Sequence, residues 1–442
     1  MNILVTSKRL LFAGAALISF LSLAVAFGVY REARLQARVA ATESSLKGVE
    51  AGLKAVEADV KGAEANLKGA EADLNSAHQY GEMRTQQLSL ARETAVVPPE
   101  AFLFNVHAAL APITQDSLLR TRENLIRYVW KGVNPRDLKP STITDGPRTG
   151  NMALVAPSAS VKTVDVNSSE TLSGFTEFAQ HDSATCLSIW AQGHEGDYPG
   201  YAPIMDGAAS YMKKQWARGC DVLIVPMPFR AQGNVTIDFG KEGRIWVGSN
   251  HEGMALIESA EFSAFRLFFD PLYATLNWLE DTGHHYKTIT MAGVSGGGWM
   301  SVVYPAIDNR ITNSVSVAGS FPMYLRYLPT DKSLRDVGDW ENTYAPFYRV
   351  ADYFELYLLS ALGRGRHQTL VYNAEDPCCY SANRALTFLP QLERKAKALN
   401  IMLGSIIDNS QQKHDISEFA ISELSKSNWS DAQAGLGNQS NQ

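Results

Sequence analysis

Three side chains of this sequence have the types and the chain order needed for nucleophilic catalysis by a serine hydroxyl. Ser295 lies in the segment Gly293-Val294-Ser295-Gly296-Gly297, which follows a strand-like run, Lys287 to Ala292, and opens a segment that can continue as a helix. A serine at such a strand-to-helix bend has a strained backbone, and the glycines beside it let the neighbouring chain approach closely. The pattern therefore predicts a nucleophile elbow that presents the Ser295 hydroxyl in a cleft.

A carboxylate partner is predicted downstream of the serine. The β-favouring run Thr369 to Tyr372 is followed by the turn-like cluster Asn373-Ala374-Glu375-Asp376-Pro377, which can present a carboxylate at the end of a strand. Asp376 is the predicted acid, and Glu375 is the alternative.

A histidine completes the set. The apolar run Ile401 to Ile407 leads into a polar segment that ends at His414, and helical spacing of apolar residues follows. His414 is therefore predicted on a loop before a terminal helix. It would take the proton of Ser295, while Asp376 would orient the imidazole and stabilise its charged form. This chemistry requires neither a metal nor a cofactor, and we expect none.

A further loop has the composition of an oxyanion site. The buried-strand pattern Cys186 to Ala191 runs into Gln192-Gly193-His194-Glu195-Gly196, which resembles the His-Gly type loop of esterases. That resemblance implies two backbone N–H donors to the developing oxyanion, from His194 and Gly296. Gln192 stands where that family has a histidine.

Together these motifs resemble the α/β-hydrolase fold of serine esterases and lipases, over about residues 152–424. The resemblance implies a mostly parallel sheet flanked by helices, with the catalytic loops at the carboxyl ends of the strands. Two further strand patterns, Asp221 to Val225 and Ser314 to Ala318, fit it. The hydrolase domain is assigned to residues 152–426, with a cap insertion at about 320–367.

Other side chains are weaker candidates for substrate contact. The cap carries many tyrosines and tryptophans, which could line a cleft but more readily form the cap's own core. Trp299 stands one helical turn beyond Ser295, and His251 lies in a glycine-rich insertion, roughly Gln232 to Gly253, that is predicted to form a hairpin. Both are retained as substrate-binding candidates.

The front of the chain has a different character. Residues 10–29 carry no charge, Lys8 and Arg9 precede them, and Arg31 follows, so residues 1–30 are predicted to be a transmembrane signal anchor. A signal peptide cleaved near Ala26 is the alternative. In the first case the hydrolase domain would be extracytoplasmic and membrane-tethered, and in the second it would be secreted or periplasmic.

A seven-residue repeat follows from Ser45 to Ala72, with Leu46, Leu53, Val60 and Leu67 at one recurring position. It predicts a coiled-coil-like helical stalk over residues 31–95, which could self-associate or act as a spacer. Residues 96–151 are assigned to a linker and helical lead-in, and the polar tail 427–442 is predicted to be disordered.

Composition limits the choice of partners. The 442 residues carry a net charge of −6, which argues against nucleic acid as a ligand. The four cysteines, Cys186, Cys220, Cys378 and Cys379, have no zinc-ligand spacing, and their pairing is open. The sequence thus predicts a serine hydrolase acting on a small or polymer-borne ester. An acyltransferase or a peptidase with the same triad is an alternative, as is a catalytically silent scaffold.

Overall fold

The structure, a computed structural model, describes residues 103–194, 204–230, 235–248, 251–326 and 339–426, together with scattered positions between 21 and 54. The chain divides into two compact units, Met1–Ser89 and Leu90–Gln442. In the first unit the described positions are helical. The rest of the predicted leader and heptad stalk, and the tail from 427, lie outside the described residues. Among the helices that could be searched, none is both long and apolar enough to cross a bilayer.

A nine-stranded sheet forms the centre of the second unit, in the order β1-β2-β3-β5-β4-β8-β9-β10-β11. The strands of this sheet are β1 Thr142–Asp145, β2 Val161–Asn167, β3 Ser173–Ala179, β4 Cys186–Ala191, β5 Asp221–Val225, β8 Thr288–Val294, β9 Asn313–Val317, β10 His367–Asn373 and β11 Met402–Asp408. The neighbouring pairs β5–β4, β4–β8, β8–β9, β9–β10 and β10–β11 are parallel. The pairs β1–β2, β2–β3 and β3–β5 are antiparallel. The mostly parallel sheet expected from the sequence is confirmed.

Helices cover this sheet. Within the described part of the second unit, the α-helices are Val106–Leu110, Gln115–Trp130, Asn151–Val155, Asp206–Ala217, Arg266–Asp281, Gly296–Ile307, Trp340–Thr343, Ala345–Tyr348, Tyr353–Ser360, Ala382–Ala385, Leu389–Ala398 and Glu418–Lys426. We call Gly296–Ile307 the elbow helix. All of its residues are buried, because it lies between the sheet and the helices that pack over it. This burial explains its apolar composition.

The packed body begins before the predicted boundary at Met152. The helix Gln115–Trp130 starts at a capping box formed by Thr114 and Ser117, and it buries Leu118, Leu125 and Val129 completely. The Trp130 indole donates to Asp270 at 2.8 Å. The lead-in helix therefore packs into the body that contains the sheet.

Two insertions lie among the strands. The first forms an antiparallel hairpin, β6 Val235–Asp238 with β7 Arg244–Gly248, as the sequence predicts. The second is the cap between β9 and β10, which contains the three short helices within residues 340–360. Phe347, Tyr348, Tyr353 and Tyr357 are buried there. These cap aromatics form a core, which was the favoured of the two sequence interpretations.

Candidate active site

Ser295 has the backbone conformation of a strained strand-to-helix bend. It follows directly on β8, precedes the elbow helix, and has φ 58° and ψ −125°. A positive φ is uncommon for a residue with a side chain and is held only when the surroundings require it. The Ser295 amide donates to the carbonyl of Val317 on β9 at 3.0 Å, which helps to hold the bend. The serine side chain therefore projects at the carboxyl edge of the sheet.

The glycines around Ser295 are required by close backbone contacts. A Cβ on Gly297 would lie 2.0 Å from the carbonyl oxygen of Ala191, and one on Gly293 would lie 2.6 Å from the same atom. Backbone atoms of a central strand cannot move aside as a flexible side chain can. Positions 293 and 297 therefore require glycine, because the backbone of β4 contacts the chain on both sides of Ser295.

Asp376 and His414 form a buried contact. Nδ1 of His414 lies 2.8 Å from Oδ2 of Asp376, whose side chain is fully buried. Oδ1 of Asp376 accepts the backbone N–H groups of Cys378 at 2.8 Å and Cys379 at 3.2 Å. These two amides hold the carboxylate in one orientation, in which Oδ2 is the oxygen nearer to Nδ1 of His414 and Oδ1 lies 3.1 Å from it.

Asn373, the last residue of β10, holds the loop that carries His414. Its amide nitrogen donates to the carbonyl of Lys413 at 2.8 Å and to that of Asp415 at 3.0 Å. These bonds fix the backbone on both sides of His414. Sequence reasoning did not single out Asn373, although its position at a strand end, just before the predicted acid, was the available signal.

Glu375 does not contact the imidazole. It is exposed, and its carboxylate accepts a hydrogen bond from the side chain of Gln412. The structure therefore brings Asp376, and not the alternative Glu375, together with His414.

The other nitrogen of His414 is available. Nε2 is buried and has no hydrogen-bond partner among the described residues, Ser295 included. Ser295 follows β8, Asp376 follows β10 and His414 follows β11, and these strands are parallel within one sheet. The three residues consequently lie at the same edge. A catalytic role for the two residues does not require a hydrogen bond between Ser295 and His414 in this state, because hydrogen bonds between a nucleophile and its base are often long before substrate binds.

The loop after β4 lies against the elbow. A Cβ on Gly193 would be 3.3 Å from Cβ of Ser295, and one on Gly296 would be 2.7 Å from Nδ1 of His194. Both predicted oxyanion residues, His194 and Gly296, are therefore beside the serine. Gly296 also begins the elbow helix, where backbone N–H groups have no partner within the helix.

Trp299 has to be removed from the substrate-binding candidates. Its side chain is fully buried, and the indole N–H donates to the Tyr348 hydroxyl at 2.8 Å. Phe268 packs edge-on against it with ring centroids 5.1 Å apart. Trp299 belongs to the core because the elbow helix is buried on every side.

His251 is also buried, which removes it as a surface contact for substrate, but it joins a polar cluster that the sequence did not predict. Its Nδ1 lies 2.8 Å from Oε2 of Glu341 and 3.0 Å from Nε2 of His194. Its Nε2 lies 2.9 Å from the carbonyl of Pro228. Because His251 comes from the first insertion and Glu341 from the cap, nothing in their spacing indicated that they would meet.

Burial and nearby charges shift the pKa values of these two histidines in opposite directions. Burial, together with His251, lowers the pKa of His194 to about 3, although Glu341 opposes the shift. Burial also acts to lower the pKa of His251, but the Glu341 carboxylate outweighs it and the net pKa is raised. His194 is therefore neutral at pH 7.

Comparisons with known proteins find similar structures only. No protein-family model matches the chain, and no curated protein matches it. Methylesterase BT1017 is 16% identical with a TM-score of 0.46, covering 78% of this chain and 67% of its own. Acetyl xylan esterase 1 from Thermoanaerobacterium sp. JW/SL YS485 is 14% identical with a TM-score of 0.44, covering 71% and 92%.

A third similar structure is a glucuronoyl esterase from Solibacter usitatus, 14% identical with a TM-score of 0.42, covering 72% of this chain and 92% of its own. The substrates in these names are those of the proteins that bear them.

Proposed function

We propose that this protein is a serine hydrolase that cleaves carboxylic esters through an acyl-enzyme on Ser295. The observation that carries the proposal is the buried Asp376–His414 contact at the same sheet edge as the strained Ser295 bend. A structural role would not require a serine at positive φ at the same sheet edge as a histidine nitrogen that has no hydrogen-bond partner among the described residues. Both features have a purpose if the serine is activated.

In the first half of the reaction His414 acts as general base. Its Nε2 takes the proton of the Ser295 hydroxyl while Oγ forms a bond to the ester carbonyl carbon. The carbonyl electron pair moves onto oxygen, where the amides of His194 and Gly296 would stabilise it. The tetrahedral intermediate then collapses, the carbon–oxygen bond to the leaving group breaks, and His414 returns its proton to the departing alkoxide.

Water completes the second half. His414 removes a proton from water as the water oxygen bonds to the acyl carbon, and the bond to Ser295 Oγ breaks with return of the proton to the serine. Asp376 holds Nδ1 protonated throughout and stabilises the imidazolium. The carboxylic acid and the regenerated enzyme are the products.

The location of the protein is proposed mainly from its sequence. The apolar segment within residues 1–30 supports membrane attachment, and the repeat supports a stalk over 31–95. The disulfide between Cys186 and Cys220 supports an extracytoplasmic domain, because such bonds persist in oxidising compartments. A protease-accessibility assay tests this proposal. The domain should be cleaved while the cytoplasmic membrane is intact, and cleavage only after lysis that exposes the cytoplasm would contradict the proposal.

Hydrolysis of a panel of chromogenic acyl esters by the full chain tests the activity. We expect Ser295→Ala to lower kcat by about 10⁶-fold, since the members of a triad act as a unit. Ser422→Ala is the matched control, because Ser422 is exposed on the last helix. An activity that survives Ser295→Ala unchanged would remove the acyl-enzyme mechanism.

A further inference from the structure

His194, His251 and Glu341 form a cluster of three side chains that the proposed reaction does not use. Their facing atoms are Nε2 of His194, Nδ1 of His251 and the Glu341 carboxylate. The two nitrogens are 3.0 Å apart, His251 is 2.8 Å from the carboxylate and His194 is 3.5 Å from it. His251 and Glu341 have side chains of zero exposure, and that of His194 is 14% exposed. Three strong ligands thus converge at a largely buried position.

The outer nitrogen of each histidine faces an oxygen acceptor. Nε2 of His251 must carry a proton, because the Pro228 carbonyl 2.9 Å away can only accept. Nδ1 of His194 lies 3.3 Å from the Asp339 carboxylate, which likewise accepts. These outer contacts leave the inner nitrogens, Nε2 of His194 and Nδ1 of His251, as the atoms that would bind an ion, which would replace the proton that Nδ1 of His251 can donate to Glu341.

We propose that His194, His251 and Glu341 bind a divalent zinc-like ion. Atoms each about 2.0–2.1 Å from zinc are about 2.9–3.4 Å apart in octahedral or tetrahedral geometry, close to the separations in this cluster. Imidazole and carboxylate ligands suit zinc, whereas calcium and magnesium prefer oxygen alone. The contacts to Pro228 and Asp339 are those that orient metal-binding histidines. Arg230 adds a positive charge near His194, which opposes binding of a cation, whereas the carboxylates of Asp339 and Glu341 next to His194 favour it.

The position of the cluster indicates what the ion does. His194 belongs to the loop beside Ser295, His251 follows the hairpin insertion, and Glu341 lies in the cap. Nδ1 of His194 is the atom nearest a Cβ on Gly296 among the imidazole atoms, so the inner Nε2 points away from the elbow. The ion would therefore join three segments that the sheet does not connect, and would position the loop beside the serine without touching the acyl carbon.

Zinc titration of the chelator-treated full chain, followed by calorimetry, tests the site. We expect one Zn²⁺ to bind per chain, Co²⁺ to bind with visible absorption bands, and Ca²⁺ not to compete. Glu341→Gln keeps the side-chain volume, and we expect it and His251→Gln to weaken zinc binding by more than about 100-fold. Asp339→Asn, which changes only an orienting contact, is expected to weaken binding by about 10–100-fold.

His285→Gln is the control, because His285 is exposed and outside the cluster, and it should bind zinc as the wild type does. Zinc should raise the melting temperature of the wild type but not of Glu341→Gln, which also reports whether that variant folds. If Glu341→Gln does not fold, His194→Ala provides the second loss of a ligand. Absence of stoichiometric binding, or binding unchanged in both ligand variants, would overturn the proposal and leave the hydrolase mechanism untouched.

Discussion

At the scale of single residues, the backbone of Ser295 is strained. Its positive φ is held by a hydrogen bond to Val317 and by contacts too close for any residue but glycine at positions 293 and 297. Such strain is commonly found where function needs a side chain in one place. The carboxylate of Asp376 is fixed in the same way, by two amides and an imidazole.

Replacement of Asp376 by asparagine tests whether its carboxylate orients the His414 imidazole, because the new side chain has nearly the same size and can remain buried. In Asp376→Asn, the oxygen is expected to stay with the amides of Cys378 and Cys379, so the new NH₂ group faces Nδ1 of His414. That arrangement selects the tautomer with a proton on Nε2, which cannot accept from Ser295. We expect kcat for a chromogenic ester to fall by about 10⁴-fold.

Glu375→Gln is the matched control for this substitution, since Glu375 is exposed and bonds only to Gln412 among the described contacts. Its kcat should remain within about twofold of wild type, as for other surface changes. An equal loss in both variants would mean that Asp376 is not the orienting acid.

The glycine contacts make a prediction about stability. Gly297→Ala places a Cβ 2.0 Å from the Ala191 carbonyl, so β4 and the elbow must separate. We expect the free energy of unfolding in urea to fall by about 1–3 kcal/mol or more. Gly150→Ala is the control, because a Cβ there has nothing within 4 Å, and a comparable loss in that variant would show that the contact is not the cause.

Individual residues also show which parts of the site could be predicted from the sequence and which could not. The order of Ser295, Asp376 and His414 was predictable because each follows an apolar strand pattern. The His194, His251 and Glu341 cluster was not, because its members come from a loop and two insertions whose folding depends on the rest of the chain. Asn373 was missed for a similar reason: its function lies in two carbonyl contacts 40 and 42 positions away.

At the scale of elements, the parallel strands bring the site together. The predicted runs that became β4 and β5 were recognisable because strands buried on both faces are near-continuously apolar. The run that became β9 was recognisable from its alternating valines, and the run that became the partly buried β11 from its apolar residues. The antiparallel strands β2 and β3 were not assigned, since polar residues interrupt them. β1 is exposed along its whole length and has no apolar pattern.

One element-scale prediction concerns the loop between β11 and the last helix. Asn373→Ala removes both bonds that hold the backbone around His414. We expect kcat to fall by about 10–100-fold through misplacement of the imidazole, with KM nearly unchanged. Gln412→Ala, on the same loop but exposed, should have wild-type kcat. A wild-type kcat in Asn373→Ala would show that the loop is held by other contacts.

At the scale of the whole molecule, two disulfides act over very different spans of chain. Cys186 at the start of β4 is bonded to Cys220 just before β5, 34 positions later, whereas Cys378 is bonded to its neighbour Cys379. The sequence allowed three complete pairings, and only the placement of β4 beside β5 selects this one. The longer bond restricts the unfolded chain far more than the shorter one does.

Removal of the Cys186–Cys220 disulfide should therefore lower the free energy of unfolding more than removal of the Cys378–Cys379 disulfide. We expect Cys186→Ala with Cys220→Ala to lower the free energy of unfolding in urea by about 3–4 kcal/mol. The Cys378→Ala and Cys379→Ala pair should cost less, because their bond closes no long loop. Equal losses would indicate that the native contacts of the cysteines, rather than loop closure, dominate.

Reaction of the full chain with a fluorophosphonate, followed by mass spectrometric mapping of the adduct, tests the central claim most directly. The account predicts one adduct, on Ser295, that is absent in Ser295→Ala, greatly slowed in His414→Ala and unchanged in Ser422→Ala. A folded wild-type chain that forms no adduct, or one whose adduct lies on another serine, would contradict an activated Ser295.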